Sequence, residues 1–419
     1  MVHRTNALTD WKSTRLIEVC NVNPPYKLTT GDVCSFIDMA AVNEDSPNVK
    51  RIETKQYNKQ SGSKFTNGDV LFARITPCTE NGKTALVEGL HTKYGIGSTE
   101  FIVLSPLKER LDSKYLYYLV KWPVIRNKAI GRMIGTTGRQ RVPNDFFRDE
   151  LMVDLPSLNE QQKIADILTS VDSAISKTEA IIEQTEKVKK GLMQQLLTKG
   201  IGHTKFKQTE IGEIPEEWEV KRIDDIAKVI RGASPRPKGD PRYYGGNVPR
   251  LMVADVTRDY KYVTPTTDFL TEEGAKLSRP MPAGSLVVVC SGTVGVPAIL
   301  SVDACIHDGF LALKDIESNC ESEYLFYIFT LLKNKFDASA THGGVFTNLT
   351  TQIMKDFLIP IPSASEQRGI IDVLCQIDLK LEAESKKHKQ LITVKNGLMQ
   401  ELLTGKVRVK VDDQEAVTT

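Results

Sequence analysis

Apolar residues from Ile164 to Leu196 recur in steps of three and four, at Ile164, Leu168, Val171, Ile175, Ile182, Leu192 and Leu196. The same pattern returns at Ile370, Leu374, Ile377, Leu381, Leu391, Leu398 and Leu402. Such a seam predicts a long helix that buries one stripe against a partner helix, as in a coiled coil. The seam is polar in its middle: Thr178, Thr185 and Lys189 in one copy, Glu384, His388 and Lys395 in the other. Polar seam residues fix register and partner at some cost in stability. The stretches Pro156 to Thr198 and Pro362 to Thr404 align without a gap, with about 18 of some 43 positions identical, far above chance. Asp166 returns as Asp372, Asp172 as Asp378, and Gly191-Leu192-Met193-Gln194 as Gly397-Leu398-Met399-Gln400. A proline and a capping residue (Asn159, Ser365) open each helix, and Gly200 or Gly405 closes it. Some 39 residues give a rod of ~58 Å.

Before each helix the apolar pattern changes to short alternating runs broken by Gly, Asn and Pro, which predicts strands. These are Val33 to Val42, Val70 to Ile75 and Phe101 to Leu104, with a short helix from Lys114 to Val124. The second half restarts the same plan. Trp218, Arg222 and Ile223 echo Trp11, Arg15 and Leu16; Leu251 to Val256 echoes Ile37 to Val42; Gly284 to Val289 echoes Gly68 to Ala73; Phe310 echoes Phe101. The fold class is therefore α/β (α+β), a tandem duplication of globular domain and long helix. The expected partition is a first domain over 1–154, a long helix over 155–200, a polar linker over 201–217, a second domain over 218–360, a second helix over 361–406 and a frayed tail over 407–419.

Composition narrows the function classes. Lys and Arg total 55 against 53 Asp and Glu, a net charge of +2, so an anionic partner must be met by local basic patches. Seven scattered cysteines without a Cys-x-x-Cys argue against a disulfide framework or a structural zinc, and fit a reducing cytoplasm. No apolar run is long enough for a membrane span, and Met1-Val2-His3-Arg4-Thr5 lacks the apolar core of a signal peptide.

Catalytic constellations are weak. Asn23-Pro24-Pro25-Tyr26 matches the loop that holds the target amino group in amino-methylating DNA methyltransferases. Only 22 residues precede it, too few for the S-adenosylmethionine unit, so a Pro-Pro turn before a strand is the simpler reading. Glu53-Thr54-Lys55 has a nuclease-like spacing without a partner carboxylate strand, and Cys305-x-His307 is only a pair. No phosphate-binding Gly-x-x-x-x-Gly-Lys-Ser/Thr loop is present, so the chain carries no ATP-driven step. Binding chemistry is richer. The first domain offers Arg74, Thr76, Asn81 and Lys83, then Thr137, Arg139, Gln140 and Arg141 in the loop before its long helix. The second offers Arg231, Ser234, Arg236, Lys238, Arg242, Tyr243 and Tyr244, with Thr347 in the loop Gly343-Gly344-Val345-Phe346-Thr347. Arg and Lys suit phosphates and guanine edges, and Gln and Asn suit adenine edges.

These features, in this order and duplicated, resemble the specificity (S) subunit of Type I restriction–modification systems over nearly the full length. The resemblance rests on Pro156 to Gln161 and Pro362 to Gln367, on Ile211 to Trp218, and on Gly68 to Val87 with Gly97-Ser98-Thr99-Glu100-Phe101. It implies two target recognition domains, each reading half of a split double-stranded DNA sequence, joined by helices in an antiparallel coiled coil with pseudo-two-fold symmetry. It also implies no catalysis and no cofactor on this chain. Two methyltransferase (M) subunits using S-adenosylmethionine, and through them restriction (R) subunits using ATP and Mg, would be the partners. Unlike domains imply unlike half-sites. Two other classes stay open: a coiled-coil scaffold with no DNA role, and an adenine methyltransferase built on Asn23 to Tyr26.

Overall fold

The computed structural model describes residues 10–343 and 346–410. Gly344, Val345, the first nine residues and the tail beyond Lys410 lie outside the described residues, as does the side chain of Thr347. The chain forms two compact units, and neither follows the linear partition. The first takes residues up to Ile181 and from Glu384 onward; the second runs from Ile182 to Ala383. Each unit thus holds one globular domain and a part of both long helices, Leu158–Lys199 and Ala364–Leu402.

Each globular domain contains two sheets, wired identically. In the first unit one sheet runs in the order Cys20–Val22, Phe101–Pro106, Val70–Ala73, Thr84–Leu86, all antiparallel. The other runs Glu53–Gln56, Val33–Ile37, Gly95–Gly97, Ser63–Phe65, and its middle pair is parallel. The second unit repeats this with Lys228–Arg231, Phe310–Lys314, Leu286–Val289 and Pro297–Leu300, extended by Tyr262–Val263. Its other sheet is Asp268–Leu270, Tyr244–Leu251, Ala304–Ile306, Arg279–Met281, again with a parallel middle pair. Central strands are apolar throughout because both faces are covered: Val70–Ala73 and Leu286–Val289 are buried at every position. A last antiparallel pair leads into each long helix, Lys12–Arg15 with Met152–Leu155 and Glu219–Arg222 with Leu358–Ile361.

The short helix expected over 114–124 is two helices. Ser113–Lys121 ends at Trp122, and Pro123 opens a second one over Pro123–Ile130, since its ring cannot continue the first but suits a first turn. The stretch read as a polar linker holds a hairpin, Phe206–Thr209 with Gly212–Pro215. Ile214 and Pro215 are buried there, while Phe206 is exposed and Lys207, Gln208, Thr209 and Glu213 are polar, which hid the strands.

Within the first unit the helix segments run antiparallel. Asp172 pairs with Lys395 at 2.6 Å and Glu179 with His388 at 3.0 Å, so seven residues forward on one helix is seven back on the other. In the second unit Lys189 pairs with Asp378 at 2.5 Å, the same pair carried over by the repeat. The polar seam lysines therefore have counter-ions, Asp172 buried and Asp378 half-buried. Burial opposes the charge on Lys189, and Asp378 and the Tyr260 hydroxyl outweigh it, so its ammonium sits above the ordinary lysine range.

Lys121 is a different case. Its Nζ donates to the Gly82 carbonyl at 2.6 Å and to the Glu44 carbonyl, with no carboxylate of the described residues bonded to it. Burial, then the nearby Lys395, pushes its pKa down to about 8 from 10.5. The unfolded chain keeps this proton where the folded chain releases it, so the stability of the first unit should rise from about pH 8 to 10, by at most ~1.4 kcal/mol per unit. Above pH 10 the buried hydroxyls of Tyr115, Tyr117 and Tyr118, raised by burial, reverse the slope. Urea midpoints across this range test it: Lys121→Met should flatten the rise, and a wild-type protein already flat between pH 8 and 10 would contradict it.

Candidate nucleic-acid interface

Three segments converge at one edge of the first unit's sheet Cys20–Leu86. They follow strand Val70–Ala73, precede strand Phe101–Pro106, and lead toward the long helix. Arg141 bridges to the backbone of both Ile75 and Ile134. Its guanidinium grips both carboxylate oxygens of Glu100 at 2.7–3.0 Å. Arg74 donates from Nη1 to Asn144 Oδ1 at 3.1 Å, while its Nε is buried without a partner among the described residues. Burial holds this guanidinium below its usual range. The Thr76 amide donates to the Gln140 carbonyl at 3.0 Å, and its hydroxyl to Glu80 at 2.7 Å. Between them Gly135 (φ 125°) and Gly138 (φ 77°) turn the loop outward and expose Thr137 and Arg139.

The expected residues therefore divide. Arg74, Thr76, Gln140 and Arg141 are brought together and largely engaged with the protein. Arg141 braces the loop against Glu100. Arg139 projects, and among the described residues its side chain makes no hydrogen bond or ion pair. Asn81 and Lys83 turn elsewhere: Asn81 donates to Glu44 at 3.2 Å and Lys83 to the Met39 carbonyl at 3.1 Å.

The second unit builds the corresponding edge from other residues. Ser291 bridges to Asn348 where the first unit has Ile75 and Arg141. Arg231 donates from Nε to the Asp308 carbonyl at 2.9 Å and from Nη2 to Asn348 at 3.4 Å. The Ser234 hydroxyl donates to Asp308 and accepts from Arg250 Nη2 at 2.8 Å. Arg236 approaches Asp308 at 3.9 Å but stays exposed, as does Lys238. Arg242 grips Asp240 and lies over the Tyr243 ring at 5.2 Å; Asp240 raises the Arg242 pKa above its usual range. Tyr244 donates to the Pro235 carbonyl at 2.8 Å and carries Arg250 over its ring at 5.4 Å. Thr347 pairs through its backbone with His342.

Arg250, Asp308 and Asn348 organise this edge and were not singled out from the sequence. Arg250 is buried near the end of strand Tyr244–Leu251, and its pairing with the half-buried Asp268 at 2.5 Å has no sequence signature. His307 lies beside them. Its Nδ1 accepts from the Gly309 amide at 2.9 Å, so Nε2 carries the proton, buried and without a partner among the described residues. Burial, then Arg250, lowers its pKa and keeps it neutral. Among the described residues no group of three His, Cys, Asp or Glu could hold a metal.

The two enzyme-like motifs have structural uses. Asn23 (φ 53°) accepts from the Val103 amide at 2.8 Å through its side chain and donates its own amide to the Val103 carbonyl at 2.7 Å. Tyr26 donates to Asp69 at 3.2 Å. The side-chain oxygen that would hold a target amine is thus occupied by the backbone. Glu53 pairs with Arg51, and Lys55 lies over the Phe36 ring at 3.4 Å.

Known proteins agree with this architecture. The MjaVIII Type I restriction enzyme specificity subunit of Methanocaldococcus jannaschii is 28% identical over 342 residues, 76% of each chain. The crystal structure of a Type I restriction–modification S subunit from M. genitalium shares the fold with a TM-score of 0.57 at 15% identity, covering 96% of this chain and 98% of that one. A chain from a structural study of complex assembly and conformational transition of the type I R-M system gives a TM-score of 0.59 at 19% identity, covering 95% and 99%. The Type I restriction modification DNA specificity domain matches twice, over residues 9–187 and 215–393, and with both matches in place the chain belongs to that family.

Proposed function

We propose that each unit reads one half of a bipartite, asymmetric DNA target, that the paired helices set the spacer and dock two methyltransferase subunits, and that this chain performs no catalysis. The observation that carries the reading is the identical wiring of two domains whose equivalent edges present different side chains. Arg139, Gln140 and Arg141 stand at one edge, and Arg231, Ser234 and Arg236 at the other. Identical scaffolds with unlike polar edges suit two unlike half-sites. Helix segments that share about 18 of some 43 positions suit two copies of one partner. S-adenosylmethionine, ATP and Mg belong to the methyltransferase and restriction subunits in this reading, within a cytoplasmic complex. A methyltransferase built on Asn23 is disfavoured by the hydrogen bond from the Val103 amide that occupies its side-chain oxygen.

Exchanging residues 1–154 for the first domain of another family member tests it. Methylome sequencing should show one half-site changed and the other kept. Loss or change of both half-sites together would mean that the domains are not independent readers. Mass measurement of the complex at saturating methyltransferase should give two copies per chain, and a stable one-to-one complex would remove the docking argument.

A further inference from the structure

The same connection in each unit joins the first strand of one sheet to the parallel pair of the other. In the second unit it is residues 232–243, between Lys228–Arg231 and Tyr244–Leu251, and it carries Arg236 and Lys238. In the first unit it is residues 23–32, between Cys20–Val22 and Val33–Ile37. Each has two prolines followed by a lysine: Pro24-Pro25-Tyr26-Lys27 in one, Pro235-Arg236-Pro237-Lys238 in the other. The sequence repeat has faded here, and topology restores the equivalence.

In the first unit this loop walls a cleft of about 1100 Å³. Lys59 and Lys64 line it as well, and it extends to Arg74 and Asn144, the edge described above. Its lining holds four cations, Lys27, Lys59, Lys64 and Arg74, and no aspartate or glutamate. Among the described residues the three lysines make no ion pair, whereas many other cations of this nearly neutral chain are matched to carboxylates. Lys59 is held at φ 60°, a conformation rare for a long side chain, and the Asn58 amide bonds Gln60 Oε1 at 2.6 Å beside it. Unmatched ammonium groups along one groove attract an extended anion. Lysine offers a point charge and no fork for a base edge, so the ligand they fit is phosphate.

We propose that this cleft binds phosphates of the DNA backbone beside the half-site of the first unit, with Lys27, Lys59 and Lys64 as the phosphate contacts. The proposal rests on the DNA-reading function above and adds a clamp that supplies affinity without sequence information. The test uses the full chain assembled with its methyltransferase subunits. Replacing the three lysines by alanine should lower the slope of log K against log salt by about 2.7, at ~0.9 per lost phosphate contact. The methylated sequence should not change, and the triple arginine variant should restore the slope. An unaltered slope in the alanine variant, with wild-type complex binding its duplex normally, would overturn the clamp and leave DNA reading intact. A wild-type complex without specific binding would instead remove the underlying function. Arg139→Ala serves as the control at the reading edge, where lost affinity shows that the assay detects interface contacts. Calorimetric titration with a mononucleotide separates the other source of phosphate. Saturable binding lost in the alanine variant would assign the cleft to a free nucleotide and overturn the DNA assignment.

Discussion

Asp172→Ala should lower the stability of the first unit by about 3–5 kcal/mol. The Asp172 and Lys395 side chains are only 7% and 10% exposed, with Nζ 2.6 Å from Oδ1. The other oxygen, Oδ2, accepts the Tyr118 hydroxyl at 2.7 Å. Removing the carboxylate leaves a buried ammonium with a long hydrogen bond to the Asp45 carbonyl at 3.3 Å. The cost is that of stranding a charge, not the net worth of the pair. Replacing both partners with apolar residues, Asp172→Leu with Lys395→Met, should therefore be far milder, near neutral or stabilising. Asp378→Ala should cost less than Asp172→Ala, because Lys189 keeps Tyr260 both as a hydroxyl partner and as a ring at 4.5 Å. Urea denaturation of the single and double variants measures all three. A loss below 1 kcal/mol for Asp172→Ala would show that water reaches Lys395 in solution.

The duplication and the seam were legible because each is enforced by a repeating physical demand, whereas the order of the strands in their sheets came only from the structure. A seam must keep apolar residues every three or four positions, and Asp172, Lys189, Asp378 and Lys395 had to stay because each acid neutralises a lysine of the other copy. Strands demand only apolar character, so their identities drifted while the pairing persisted. What could not be read was the use made of polar groups. Arg141 looked like a free contact and is locked to Glu100. The Asn23 loop looked like a plain turn and occupies the place of the basic loop of the second unit. Position Glu160/Glu366 shows why such uses escape the sequence. Glu366 accepts from Trp218 Nε1 at 2.9 Å and pairs with His203 at 2.9 Å, while Glu160 is gripped by Arg408 at 2.8 Å. In the first unit Trp11 Nε1 is buried with no partner among the described residues. The same residue at the same repeat position thus serves different partners, which no periodicity encodes.

Gln367→Leu should destabilise the second unit by about 3–6 kcal/mol, and Gln161→Leu the first unit by a similar amount. Gln367 is fully buried, and its amide meets three backbone groups. Its Oε1 accepts from the Glu321 amide at 2.9 Å, and its Nε2 donates to the carbonyls of Asn319 at 2.8 Å and Pro362 at 3.0 Å. Gln161 does the same with Asp112 at 3.0 Å and with Arg110 and Pro156, both at 3.1 Å. Glu321 and Asp112 cap the domain helices Ser322–Ser339 and Ser113–Lys121. Each glutamine therefore ties the start of a domain helix to the first turn of a long helix. Leucine fills a similar volume but strands one N–H and two carbonyls, each costing ~1–3 kcal/mol when buried without a partner. Glutamate distinguishes this account from a simple packing defect. A carboxylate can accept from the amide but must face two carbonyls, so the Gln367→Glu protein should be weakest at neutral pH. It should regain stability as the pH falls and the new acid takes up a proton, opposite in direction to ordinary acid destabilisation. The change lies within one of the two compact units, so that unit should melt early, seen as a split transition in calorimetry. A single unsplit transition, with leucine and glutamine equally stable, would show that the domain–helix junction is held by its apolar packing alone.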